Sequence, residues 1–404
     1  MSCVELLLEL RNRGARVWLE DERLRVAAPQ GVLSDEIRHE LKQHRNELIE
    51  WLKRQSATPR PGLRRYGRGG RQRLSYAQQR LWFLYRMEGA SATYNIPLAL
   101  RLTGEPDERA LEAGLNDVVE RHEALRTVFP EEEGVPYQRV LSGEAARVQL
   151  RVKRVEESEL KEKLAEAAGV KMALERELPL RAWLFEIKEQ EHVLLLVLHH
   201  IAGDGWSLAP LARDLGEAYG ARREGRAPEF EPLSVQYADY AEWQREVLGE
   251  EEDKESRMSV QLEYWKKALE GMAEETELPV DRARPQAMSY RGGTVELKLD
   301  AELHRGLKRV AGETGASLFM VLQAGLAVLL KKLGGGEDIG IGTVVAGRSE
   351  RELEELVGFF VNTLVLRTDV SGDPSFVELI ERVRKFDLEA YGKDELPFER
   401  LVEA

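Results

Sequence analysis

Residues 198–207, LHHIAGDGWS, decide how the rest of this chain is read. They follow a run of branched apolar residues, Val193 to Leu198, with the composition of a buried β-strand. The strand delivers two adjacent histidines, His199 and His200, into a turn. Four residues beyond the second stands Asp204, and then Gly205, a residue type open to backbone angles closed to others. Successive side chains on a strand point to opposite faces, so only one of the two histidines can face a given cavity. The pattern offers a positioned imidazole, a carboxylate that organises the local backbone, and a glycine that lets a substrate approach. That combination suits general-base or hydrogen-bond catalysis of an acyl transfer.

Working outward, strand-like and helix-like segments alternate from Leu74 onward. Helices are expected at Pro106–His122, Glu157–Leu174 and Leu208–Arg223, with strands at Gln149–Val155, Leu180–Ile187 and Val193–His199. A charged stretch, Glu246–Arg257, precedes a second half with strands at Gly293–Leu299, Ile339–Ala346 and Thr363–Thr368. Its helices are expected at Ala301–Gly312, Leu318–Lys332 and Phe376–Tyr391, with Ser317 as an N-cap. Two α/β halves of similar size, with the site in a cleft between them, are the natural architecture.

Residues 1–53 form a separate small unit. Ser2 and Glu5 have capping-box spacing, followed by Leu6, Leu7 and Leu10 up to Gly14. Two short strands, Arg16–Glu20 and Arg23–Ala27, turn at Asp21–Glu22. Ser34 then caps a helical region with Ile37, Leu41, Leu48 and Leu52 on one face. Residues 54–73 contain arginine, glycine and proline with no acidic residue, and read as a solvated basic linker.

Composition excludes several classes. The net charge of −13 over 404 residues is the wrong sign for a nucleic-acid binder. One cysteine, Cys3, permits no internal disulfide and fits a reducing cytoplasm. Glu5 and Arg11 interrupt any N-terminal signal, and the longest apolar run, Leu318–Leu330, is too short to span a bilayer. No membrane partner is expected. There is no GxSxG elbow, no P-loop or dinucleotide fingerprint, and no HExxH or CxxC, so neither a serine hydrolase nor a metal site is expected.

The segment HHIAGDGWS resembles the HHxxxDG signature of nonribosomal peptide synthetase condensation domains, relatives of chloramphenicol acetyltransferase. Further stretches match that family's motifs in order: SYAQQRLWFL (75–84), RHEALRTVF (121–129), YADYAEW (237–243), VGFFVNT (357–363) and DELPFE (394–399). Residues 1–53, through LLLELRNRGARVW, resemble the TubC-like docking domain of some synthetase subunits. The resemblance implies two chloramphenicol-acetyltransferase-like lobes in a V with a tunnel between them, preceded by a small αββαα unit. The lobes would be residues 74–245 and 246–404, the second incomplete because the family's last motif is absent.

The resemblance also assigns roles. His200 would face the tunnel where a donor thioester meets an acceptor amine, both carried on phosphopantetheine arms of partner carrier proteins. His199 would point away as a structural residue, and Asp204 would pair with Arg348 of GTVVAGR. Gly205 would admit the thioester, and its N–H or that of Trp206 would face the oxyanion. Trp206, Ser207, Ser75 and Asn362 are candidates to line the tunnel, although Ser75, Arg80 and Asn362 suit buried hydrogen-bonding roles better than catalytic ones. Arg121, Glu123 and Arg126 are expected in structural ion pairs. No cofactor would be bound by the chain itself. The expected partners are donor and acceptor carriers and an upstream subunit, whose tail would add to the hairpin edge at residues 16–27. The expected activity is amide-bond formation in the cytoplasm. An epimerisation domain and a catalytically inactive platform that recruits carriers are the alternatives.

Overall fold

The apolar run before the paired histidines becomes an inner strand of a four-stranded sheet, ordered Asn95–Thr103, Glu191–His199, Leu180–Lys188, Leu150–Arg154. In this computed structural model the described residues are 6, 10, 16–20, 23–27, 33–49, 60–68, 71–273, 275–283 and 292–404. The histidine strand is antiparallel to both neighbours, whereas Leu150–Arg154 runs parallel to Leu180–Lys188. Between those parallel strands lies the helix Glu157–Ala168, as a parallel crossover requires. Residues 192–199 are all buried, which explains why they read as a continuous apolar run rather than an alternating one. Asn95–Thr103, at the sheet edge, alternates between half-buried and exposed positions.

Helices Glu108–Arg121 and Leu208–Arg223 lie against each other. Gly114 permits the contact, since a Cβ there would sit 3.0 Å from the Tyr219 nitrogen and 3.2 Å from the Ala218 carbonyl carbon. The second half has a two-stranded antiparallel sheet, Asp338–Val345 with Asn362–Asp369. Helices Ala301–Thr314, Leu318–Lys332 and Phe376–Tyr391 pack with it. Ser317 caps the second of these helices by accepting the Met320 N–H at 3.1 Å. In the N-terminal unit, strands Arg16–Glu20 and Arg23–Ala27 pair as a hairpin, and Ile37, Leu41 and Leu48 are buried with Leu6 and Leu10. The predicted helix over residues 2–14 lies largely outside the described residues, as does Leu52.

Several expectations are corrected. Residues 292–300 form no strand; Val295 and Leu297 are 96% and 85% exposed, and no neighbouring strand among the described residues satisfies their backbone. The helix starting at Glu157 stops at Ala168, where Gly169 takes the C-cap, six residues short of Leu174. The 245/246 boundary falls inside the helix Tyr237–Leu248. The halves also interlock, because Leu353, Leu356, Val357, Phe359 and Phe360 belong to the first half's core.

The basic segment is no solvated tether over residues 60–68 and 71–73. Arg65 donates to the Leu233 and Ser234 carbonyls at 2.7 and 2.9 Å, and Trp243 Nε1 donates to the Pro61 carbonyl at 2.7 Å. Arg68 bridges Glu123 and the fully buried Asp239, while Arg64 and Arg73 pair with Glu246 and Glu242. An acid-free arginine run reads as solvated only until the fold supplies carboxylates from elsewhere in the chain. Residues 54–59 lie outside the description. Among the described residues, no single helix is long and apolar enough to cross a membrane.

Candidate active site

The histidine strand ends at His199, and a single 3-10 turn, His200–Ala202, reverses the chain. His199 is buried on the sheet side. Its Nδ1 accepts the Ile201 N–H at 3.1 Å, capping the turn, and burial lowers its pKa to about 4. His199 is therefore a neutral structural group at physiological pH.

His200 points the other way. Its backbone N–H donates to the Tyr94 carbonyl at 2.8 Å, tying the turn to the edge-strand side. The ring packs edge-on against Phe359, with centroids 4.8 Å apart. Burial lowers its pKa below the ordinary histidine value, partly offset by Asp204 and by the carbonyls of His200 and Gly203. Nδ1 lies on the buried side and has no hydrogen-bond partner among the described residues. A neutral imidazole without a protein partner retains a lone pair for a substrate proton.

Asp204 is fully buried but makes no hydrogen bond to His200. Its Oδ1 accepts from Arg348 Nη2 at 3.1 Å, from the Ser207 N–H at 2.9 Å and from the Ser207 hydroxyl at 2.8 Å. Its Oδ2 accepts the Phe360 N–H at 3.0 Å. Arg348 in turn donates to the Leu353 and Leu356 carbonyls and stacks over the Phe360 ring at 4.2 Å. The carboxylate thus locks the turn to the second half instead of completing a triad.

The central element is the stretch Val357–Phe360, which crosses from the second half into the first half's core. Each of its four residues is held by a side chain of the first half. Val357 N–H donates to His122 Nδ1 at 3.4 Å and Gly358 N–H to Ser207 Oγ at 3.1 Å. The Phe359 carbonyl accepts from Tyr237 Oη at 2.5 Å, and the Phe360 N–H donates to Asp204. Gly358 is required sterically, because a Cβ there would collide with the Tyr237 and Phe360 rings. Gly347, at φ +62°, is required because a Cβ would strike the Phe360 carbonyl.

Other predicted residues fall as follows. Gly205 does not adopt a positive φ, contrary to the use first suggested for it, and a Cβ there would meet nothing within 4 Å. It borders open space. Neither its N–H nor that of Trp206 has a partner among the described residues, and the Trp206 side chain is half exposed. Ser207 is buried inside the lock, not lining an open tunnel. Ser75 is also buried; it caps the helix Tyr76–Glu88 and bonds the Tyr237 hydroxyl at 2.8 Å.

Asn362 donates to the Asp394 and Leu396 carbonyls and accepts the Phe398 N–H, holding the DELPFE turn. It also borders a cleft of about 60 Å³ with Arg60, Tyr240 and Glu399, which none of His200, Asp204 and Gly205 lines. Arg80 is 4.0 Å from Glu399. Arg121 pairs with Asp214, Glu123 with Arg68 and Arg126 with Glu120. Among the described residues no group of three or more His, Cys, Asp or Glu side chains is placed to hold a metal ion. Residue-level reading missed His122, Tyr237, Gly358 and Phe359, although all four lie inside the quoted motifs.

Comparison with known proteins places this geometry. The condensation domain family matches residues 69–404, and the TubC N-terminal docking domain family matches residues 3–54. The chain belongs to the condensation domain family and carries a TubC-type docking domain ahead of it. Residues 1–404 are 57% identical over 330 residues, 82% of the chain, to a probable non-canonical nonribosomal peptide synthetase, CymA, of Salinispora arenicola. They are 53% identical over 343 residues, 85% of the chain, to a dimodular nonribosomal peptide synthase of Bacillus subtilis. The chain spans only 4% and 14% of those two proteins.

Among solved structures, the X-domain from teicoplanin biosynthesis superposes with a TM-score of 0.80 at 41% identity, covering 85% of this chain and 75% of that one. The first condensation domain of the calcium-dependent antibiotic synthetase, in complex with a substrate analogue, gives 0.67 at 25% identity, covering 83% and 78%. The mixed α/β, chloramphenicol-acetyltransferase-like architecture is therefore that of condensation domains.

Proposed function

We propose that this chain forms an amide bond between two carrier-bound substrates, with His200 as the group that handles the proton. The observation that carries the reading is the state of His200: its pKa lowered by burial, at a strand end, packed against Phe359, with no side-chain partner to hold the ring. The amine of the acceptor attacks the thioester carbonyl carbon of the donor. As the C–N bond forms, the ammonium proton passes to His200 Nε2. The C–S bond then breaks, and the thiolate on the donor's phosphopantetheine leaves with that proton. In this reading Nδ1, on the buried side, carries the ring proton and the Nε2 lone pair faces the substrate. Gly205 gives the thioester room, and the unused N–H groups of Gly205 and Trp206 are the candidate oxyanion donors. Phosphopantetheine arrives on the carriers and is substrate, not a resident cofactor. In this reading residues 1–53 receive an upstream subunit, and the reaction is cytoplasmic.

A second reading has its own support, since the X-domain that this chain resembles at 41% identity has also been solved in complex with OxyB. A platform would bind carriers or another enzyme and catalyse nothing. The test is a single-turnover assay with loaded donor and acceptor carriers, read by intact-protein mass spectrometry, for the unaltered chain and His200→Ala. Transfer that falls at least about a hundredfold in the variant supports condensation. Loss of α-deuterium without transfer indicates epimerisation, and carrier binding without either indicates the platform.

A further inference from the structure

We propose that His122 is a positioning residue for the reaction at His200, acting through the crossing stretch Val357–Phe360. His122 ends the helix Glu108–Arg121 and is fully buried. Its two ring nitrogens face opposite halves of the molecule. Nε2 meets Asp214 Oδ2 at 2.9 Å, and Nδ1 lies 3.4 Å from the Val357 nitrogen. A backbone N–H can only donate, so Nδ1 accepts and the proton sits on Nε2, where Asp214 accepts it. Asp214 holds that tautomer because it is itself held. Arg121 Nε reaches its Oδ2 at 2.7 Å, and Arg213 reaches its Oδ1 at 2.8 Å. Arg213 also pairs with Glu355 on the approach to the crossing stretch. Asp214, Arg121 and Arg213 act on the ring directly, and Glu355 through Arg213.

The consequence reaches His200 because Phe359 follows Val357 by two residues and its ring packs against the imidazole. Val357 carries one of the four ties that set the register of this stretch. The other three come from Ser207, Tyr237 and Asp204. His122 contributes the only one of the four from the RHEALRTVF motif, and it lies 235 residues from its partner. Losing the tie lets the entry of the stretch slide, loosens the Phe359 ring against His200 and admits water. Better hydration favours the charged imidazole, so the His200 pKa should move up toward its ordinary value.

The test is histidine-ring NMR on the full chain, with the His200 signal among seven histidines assigned by its loss in His200→Ala. In His122→Phe the His200 midpoint should rise by about half a pH unit or more. His122→Asn, whose side-chain oxygen can replace Nδ1 as acceptor, should stay closer to the unaltered protein. Identical His200 titrations in the unaltered protein and a folded His122→Phe protein overturn the proposal. Should His122→Phe not fold, the ring nitrogen shifts of the unaltered protein decide the matter. An Nε2–H tautomer at His122 supports the tie, and an Nδ1–H tautomer removes its acceptor and overturns it. Only the kinetic arm rests on the condensation reading. There His122→Phe should lower kcat about tenfold or more and leave KM for the carriers within about twofold. A protein that transfers nothing still reports through the titration, so the two failures are separable.

Discussion

The two halves of the condensation domain solve the same packing problem to different degrees. In the first, a four-stranded sheet buries residues 192–199 completely and its core extends into the crossing stretch. In the second, the sheet has two strands, and the helix Leu318–Lys332 leaves Phe319, Leu322, Leu326 and Leu329 about half exposed along one face. The histidine is placed by the well-buried half, and the less-buried half contributes a lock, Arg348 with Val357–Phe360. Rigidity is thereby concentrated around His200, the group proposed to handle the proton.

The sharpest way to break this comparison is to cut the lock. Asp204→Ala strands Arg348, whose side chain is only 6% exposed, along with the Phe360 N–H. The expected loss is about 3–5 kcal/mol, measured by urea unfolding, with a smaller loss when Arg348 is replaced as well. A second break in the same lock is Gly358→Ala, where the added methyl meets the Tyr237 ring. It should cost about 1–3 kcal/mol and lower the thermal midpoint without changing the urea m-value.

Acidity separates the halves in opposite directions. In the first half, burial lowers His199 to about 4, and Asp214 is depressed to about 2, through bonds to His122, Arg213 and Arg121 that outweigh its burial. The unfolded chain binds more protons than the folded one between about pH 4 and 6.5, so His199 makes stability fall as the solution is acidified through that window. The Asp214 contribution is lost lower, as the pH drops through its depressed pKa. In the second half, burial raises Asp387 to about 7, while Gln323 Nε2 donates to it at 3.1 Å. There the folded state holds the extra proton, so stability is lost as pH rises from about 4 to 7. Asp387→Asn should therefore add about 1–3 kcal/mol at pH 8 and progressively less toward pH 4, seen as a pH-dependent gain in thermal midpoint. Asp387 Oδ2 and Gln323 Oε1 are both buried without a hydrogen-bond partner among the described residues. The smallest effect is expected at Leu326→Gln, on the exposed helix face, within about 0.5 kcal/mol. Leu196→Ala, in the buried strand, should cost about 2–5 kcal/mol.

The sequence alone was enough for whatever depends on local pattern. The strand before the histidines, the helices Leu208–Arg223 and Leu318–Lys332 with the Ser317 cap, and the opposite facing of His199 and His200 all follow from periodicity within a few residues. Local pattern failed where an element needs a distant partner. Gly293–Leu299 has a strand's alternation but no neighbour to pair with among the described residues, and the arginines of residues 60–73 find their carboxylates between 55 residues away, for Arg68 and Glu123, and 335 residues away, for Arg60 and Glu395. The site itself divides along the same line. His200, Asp204 and Arg348 were legible in the motifs, but convergence of His122, Ser207, Asp204 and Tyr237 on four successive residues was not. Hydrogen bonds and ring contacts act over a few ångströms in space and carry no trace of separation along the chain. Only the packed fold could therefore decide which neutral histidine meets Phe359, which pins Val357, and which merely caps a turn.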